Sequence, residues 1–121
     1  MPTNMKFRFI SPTLHGVADY SAGVGLIIAP FVLGLGSINA ASLWISVVTG
    51  ITVLAVSLLT NYKLGAFRRI PFQGHLAIDL VVAIAFMILP FALGFNGMEA
   101  NYYLFNAAVV FTVVSLSEND Y

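Results

Sequence analysis

The chain has no cysteine, a single tryptophan, two histidines and very little charge. The lack of cysteine excludes disulfides, thiolate metal sites and cysteine nucleophiles. Five basic and five acidic residues give a formal net charge of zero, with no basic stripe. That argues against nucleic acid as a partner. No glycine-rich phosphate loop follows a strand pattern, and no Ser-His-Asp constellation is set up. The chain is therefore read as non-enzymatic. What fills the 121 residues instead is apolar: 60% hydrophobic against 8% charged, with a mean hydropathy of +0.94. Soluble domains run at roughly 45–50% apolar and about 25% charged. A soluble fold of this composition would leave large apolar patches in water. The composition implies an integral membrane protein, one domain over residues 1–121.

Four apolar runs stand out, over residues 14–35, 40–59, 74–95 and 100–116. A spanning helix needs about 20 residues, so the first three suffice and the fourth must gain a turn. Lipid offers the backbone no hydrogen bonds, so even runs rich in Val, Ile and Phe read as helices. The opening run is too long for a signal peptide and is read as a retained first helix. "GSIN" after Leu35 and "NGMEA" after Phe95 are tight turns, which make antiparallel hairpins. All five basic residues, Lys6, Arg8, Lys63, Arg68 and Arg69, lie before the first run or in the middle connector. The positive-inside rule then places both termini and that connector in the cytoplasm.

The chain matches itself when shifted by sixty positions. Phe7, Arg8 and Ile10 fall on Phe67, Arg68 and Ile70, and His15 and Asp19 on His75 and Asp79. "IAPFVLG" falls on "ILPFALG", and Thr52, Val53 and Ser57 fall on Thr112, Val113 and Ser117, without a gap. The reading is a tandem duplication of a two-helix unit, over residues 7–60 and 67–117. Each unit has an even number of spans, so the copies should be related by a pseudo-twofold axis along the membrane normal. The expected fold is an all-α, four-helix membrane bundle.

With its acidic residue early in the first helix and a Pro-aromatic followed by Leu-Gly near its end, the repeat resembles the SPW-repeat membrane proteins of bacteria. The tripeptide reads Ala29-Pro30-Phe31 and Leu89-Pro90-Phe91, and the linker "LLTNYKLGAFRRIPFQGHLAIDL" is similar to the segment joining the family's repeats. The resemblance spans residues 7–117 and implies a small multi-pass protein of the bacterial inner membrane. It supplies no biochemical activity.

The only histidines are each followed four residues on by an aspartate, which puts His15 with Asp19 and His75 with Asp79 on one helix face each. A carboxylate one turn into a span should face the bundle interior. Several readings are open. The four residues can form a divalent-metal site. They can relay protons or an ion in a small transporter. The two histidines can ligate haem axially. The plainer reading is that the aspartates sit at a favourable helix dipole end, paired with Arg8, Arg68 or Arg69, in a structural or interaction component with no cofactor. Such a component has the lipid bilayer, another copy or another membrane protein as its partner. Pro30 and Pro90 each remove a backbone donor inside a span and are expected to kink it, with Gly34 and Gly94 ending those helices.

Overall fold

The computed structural model describes residues 7–118; Lys6 and Asp120 lie outside the described residues. Four helices follow one another: α1 (Pro12–Val32), α2 (Ala40–Leu59), α3 (Phe72–Ala92) and α4 (Gly97–Leu116). No strand is present among the described residues. α1, α2 and α3 are long and apolar enough to cross a membrane. α4 gains the turn that its apolar run lacked and reaches 20 residues, although Glu99, Asn101 and Asn106 dilute its apolar character.

The helix starts follow from local chemistry. Ser11 Oγ accepts from Leu14 N at 3.1 Å, with Pro12 at the first helical position, where its missing N–H costs nothing. Asn39 Oδ1 accepts from Ala41 N at 3.0 Å to open α2. The helix ends explain the proline positions. Leu35 N bonds to Pro30 O and Phe95 N to Pro90 O, both at 2.9 Å, around Gly34 at φ 67° and Gly94 at φ 68°. This is the glycine-terminated winding-out of a helix. Pro30 and Pro90 thus stand two residues before the last residues of α1 and α3, in the terminating turn and not at mid-span. The residue after each glycine, Leu35 or Phe95, folds back into the core at 4–5% exposure. Lacking its N–H, Pro30 leaves the Leu26 carbonyl without an intrahelical partner, and Ser46 Oγ of α2 takes it at 2.7 Å.

Close backbone packing is intra-hairpin: α1 lies on α2, and α3 on α4. A Cβ on Gly50 would come within 2.6 Å of Gly23 O, and one on Gly23 within 2.5 Å of Leu54, so these glycines set the α1–α2 approach. The bundle is apolar outside, and its interior sets polar side chains beside an apolar core of Leu26, Leu35, Phe86, Phe95 and Tyr103. α2 buries Ser42, Ser46, Gly50 and Ser57 while Trp44, Val48 and Ile51 face outward. Ser46 Oγ also meets Tyr102 OH at 2.7 Å, and Tyr103 OH donates to Ser42 O at 2.6 Å, so both pairs tie α2 to α4 across the hairpins.

The two hairpins repeat one another with a change of frame. α1 and α3 correspond at the sixty-residue shift, but Asn39 caps α2 and Asn96 caps α4, fifty-seven apart. The gapless match over the second helices is therefore displaced: Thr60, not Ser57, stands where Ser117 stands. Thr60 pairs with Ile70 as Ser117 pairs with Ile10, in two isolated parallel bridges. The second of these holds Glu118, whose N–H donates to Ile10 O at 2.9 Å.

At the end carrying the two short turns, Glu99 is 4% exposed. Its Oε2 accepts from Ser42 Oγ at 2.7 Å, Gly36 N at 3.2 Å and Asn39 N at 3.3 Å, while Oε1 has no partner. Glu99 occupies the N3 position of α4, from which an acidic side chain usually reaches back to its own N-cap. Here it caps the neighbouring helix.

Two outcomes test these contacts in detergent-solubilised protein by thermal unfolding. Gly50→Ala should destabilise by about 1–3 kcal/mol through overpacking. Gly25→Ala, which meets nothing within 4 Å, should be neutral or better. Glu99→Ala should cost at least about 2 kcal/mol by orphaning buried donors, and Glu99→Gln, which keeps an acceptor, should cost less.

Candidate functional site

His15 and His75 each stand one turn into equivalent helices, α1 and α3. Their i+4 spacing to Asp19 and Asp79 points all four side chains into the bundle near the end where α2 and α4 terminate. The two pairs converge into one cluster. His15 Nε2 lies 3.1 Å from Asp19 Oδ1 on its own helix and 2.9 Å from Asp79 Oδ2 across the bundle. His75 Nε2 lies 3.3 Å from Asp79 Oδ2 on its own helix and 2.9 Å from Asp19 Oδ2 across it. Nitrogen and oxygen alternate around the ring, and the contacts between helices are shorter than those within them. Both imidazoles are essentially buried, and the carboxylate side chains are 9% and 12% exposed. One ligating atom from each residue lies within 4.8 Å of the others.

Neither aspartate pairs with an arginine among the described residues. Arg8 Nη1 donates to Val114 O at 3.3 Å and Ser117 O at 2.9 Å. Arg68 donates to Gly65 O and Lys63 O at 3.2 and 3.1 Å, held in its own turn by a φ of 45°. Arg69 makes no ion pair there either. The expected arginine partners are replaced by the histidines, because the i+4 register turns both carboxylates inward, away from the interface.

A second ring of contacts fixes the imidazoles. His15 Nδ1 meets Ser117 Oγ at 2.7 Å, and His75 Nδ1 meets Thr60 Oγ1 at 2.6 Å. Each hydroxyl has one proton, and each donates it down its own helix: Ser117 to Val113 O at 2.6 Å and Thr60 to Val56 O at 2.7 Å. The hydroxyls must therefore accept from Nδ1–H. The 2.9 Å hydrogen bond between His15 Nε2 and Asp79 Oδ2 then needs a second proton on the ring, the imidazolium form, whereas the neutral ring presents an Nε2 lone pair that a metal ion can take. Tyr62 OH donates to Asp19 Oδ2 at 3.2 Å. Burial, the largest influence on it, holds the Tyr62 hydroxyl well above the ordinary tyrosine range, so it remains a donor.

His75 Nε2 has oxygens at 2.9 and 3.3 Å but no directed hydrogen bond. Both oxygens are near, yet neither completes a hydrogen bond with the ring nitrogen. A buried polar atom left in this way calls for an explanation.

Thr60, Ser117 and Tyr62 were not singled out by the sequence. Thr60 and Ser117 become visible as a pair only when the second helices are aligned at fifty-seven instead of sixty positions. On the far side of the aspartates is a cavity of about 70 Å³, walled by apolar side chains including Ala22, Leu26, Val53, Val82 and Val113.

The family model for the SPW repeat domain matches residues 13–118, which include all four cluster residues and both hydroxyls. No curated protein and no solved structure matches the chain. On the strength of that match over nearly its whole length, the chain belongs to the SPW repeat family of membrane proteins.

Proposed function

We propose that the protein is a non-enzymatic component of the membrane whose two hairpins are clamped by one divalent transition-metal ion, zinc fitting best, held by His15, Asp19, His75 and Asp79. The observation that carries this reading is the convergence of one ligand atom from each of the four residues to within 4.8 Å of one another, with His75 Nε2 among them and lacking a directed partner.

Three physical arguments support it. A tetrahedral zinc shell with ligand bonds near 2.0–2.1 Å has edges of about 3.3 Å. With one oxygen from each aspartate, three nitrogen-to-oxygen separations of 2.9–3.3 Å stand near such edges, and the other ligand-atom pairs lie within 4.8 Å. Neutral imidazoles with two carboxylates carry two negative charges, which a divalent ion cancels, so no net charge is left within the bundle. The Nδ1–H bonds to Ser117 and Thr60 are the outer contacts that orient metal-bound histidines. Four protein ligands leave no open coordination position, which is the character of a structural site and not of a hydrolytic one. The apolar cavity walls offer no further oxygen ligands along which an ion would move. Haem needs a slot between the imidazoles, and the carboxylates fill it.

The expected result for the purified full chain is one zinc per chain by elemental analysis, with cobalt substituting to give a tetrahedral visible spectrum. Metal at a hundredfold excess over its Kd should add about 2.7 kcal/mol of stability, and chelation should remove it. Asp19→Asn with Asp79→Asn should abolish binding. A folded chain that retains no metal and shows no thermal shift with zinc, cobalt or nickel would sink the proposal.

Thr60→Ala and Ser117→Ala should each weaken metal affinity about tenfold to a hundredfold by freeing the imidazole orientation, read by competition with a chelating dye. Because protons compete for the same nitrogen and oxygen positions, affinity should fall as pH is lowered.

A further inference from the structure

We propose that the tip of the middle connector, residues 62–65, is a gate over the histidine–aspartate cluster, with the phenol of Tyr20 as its latch. The gate rests on the contacts of the connector. That the ion passing it is a metal rests on the reading above.

The connector is built in two parts. Its returning arm is tied by backbone to the end of α2. Ala66 N and Phe67 N donate to Leu58 O at 2.8 and 2.9 Å, and Arg69 N and Ile70 N both donate to Leu59 O at 2.7 Å. The tip holds its own shape. Gly65 N donates to Tyr62 O at 2.9 Å, and Arg68 reaches back to Lys63 O and Gly65 O. A Cβ on Gly65 would run into Thr60 O, so the turn closes only with glycine there. The tip is thus a preformed turn carried on a fixed arm.

Two phenols fasten this turn to α1, one from each side. Tyr62 OH of the tip donates to Asp19 Oδ2 at 3.2 Å, and Tyr20 OH of α1 donates to Leu64 O at 2.8 Å. Leu64 and the Tyr62 ring also rest on Gly16, where a Cβ would meet them at 2.9 and 3.2 Å. Among the described residues no backbone-to-backbone hydrogen bond joins the tip to α1. A segment fastened by a few side-chain contacts opens more readily than one held in a backbone ladder.

The tip covers the cluster. Tyr62 stands between two exposed residues, Asn61 and Lys63, yet is itself 3% exposed. Its ring centre lies 5.7 Å from that of His75 and 5.9 Å from that of Phe72. Withdrawing the tip removes the ring lying against His75 and the donor on Asp19 in one movement. An arriving ion then meets a nitrogen from α3 and a carboxylate from α1, half of the ligand set. A buried metal site needs an entry path. Beyond the aspartates the cavity walls are apolar and give an ion nothing to bind, whereas the charged connector places the tip at the membrane surface. Tyr20 makes its hydrogen bond to the tip and not to the cluster. Losing it changes how often the gate opens and leaves the site behind it intact.

The test uses the full chain in detergent. In the metal-free protein, diethyl pyrocarbonate modifies exposed imidazole nitrogen, and the chain has only two histidines. Peptide mass spectrometry should show modification of His75 accelerated about fivefold in Tyr20→Phe, the weight of one net hydrogen bond. Gly16→Val, which displaces Leu64 and the Tyr62 ring without touching the phenol of Tyr20, should accelerate it as well, with helicity by circular dichroism unchanged. In the zinc-loaded protein, Tyr20→Phe should speed loading and release into excess chelator by the same factor, leaving Kd unchanged. A purely structural role for Tyr20 would instead weaken affinity. Wild-type modification rates at His75 in both folded variants, or faster release with unchanged loading, would overturn the proposal. Accelerated modification in a chain that retains no zinc upholds the gate and sinks the metal reading alone.

Discussion

Inside a bilayer, burying apolar surface does not hold helices together, because lipid tails are as apolar as leucine. The two hairpins of this protein must be joined by something else, and here it is polar contact between buried side chains. Within each hairpin the backbones approach closely. Between hairpins the chain relies on the histidine–aspartate quartet at one end, Ser46 with Tyr102 along the bundle, and Ser42 with Glu99 and Tyr103 at the other end. Each contact satisfies a group whose exposure to hydrocarbon would cost several kcal/mol. The inside-out pattern of α2, serines inward and tryptophan and valine outward, follows from the same constraint.

The quartet is the strongest of these ties and the most conditional. Its four members satisfy one another only when a proton or a metal ion lies between nitrogen and oxygen, and removing one then leaves a buried partner without its counterpart, a loss of about 3–5 kcal/mol for a broken buried pair. The outer hydroxyls make it directional. Ser117 and Thr60 commit their protons to helix carbonyls, so each can only accept from a histidine, and each histidine can only present its other nitrogen inward. The arrangement is thus fixed by the last turns of α2 and α4, not by α1 and α3 alone. That is how the ends of the second helices enter a site built on the first and third.

Much of this was legible in the sequence, and the reasons are specific. The membrane bundle followed from composition and from run lengths near those of a span. His15, Asp19, His75 and Asp79 were legible because ionisable residues are rare in such runs and their i+4 spacing fixes a shared face. The helix ends were legible in Leu33-Gly34 and Leu93-Gly94, since a residue at positive φ after a helix favours glycine. The prolines were harder to read. Their effect is placed by the glycine four residues on, so they belong to the terminating turn, and Pro30 matters mainly for the carbonyl it hands to Ser46. The arginine partners were misread because charge complementarity in a sequence carries no direction, whereas the helical register does. The hydroxyls were hidden by a gapless alignment. The first turn, between Val32 and Ala40, is longer than the one between Ala92 and Gly97, and a shift of three residues is almost a full turn, so apolar helical sequence matches itself nearly as well in either frame.

The Glu99 contact makes the hairpins unlike in a way their shared outline conceals. Ser42 and Glu99 hold the same position, N3, of the corresponding helices α2 and α4, and they meet one another. A pair made of two first hairpins would set serine against serine and leave the Asn39 and Gly36 amides without their carboxylate. Two second hairpins would force two buried carboxylates together. Only one of each satisfies the contact, so the interface selects a mixed pair from three combinations of similar parts. The start of α2 is also incomplete until α4 has been synthesised and inserted, which gives assembly of the bundle a direction from the last helix back to the second.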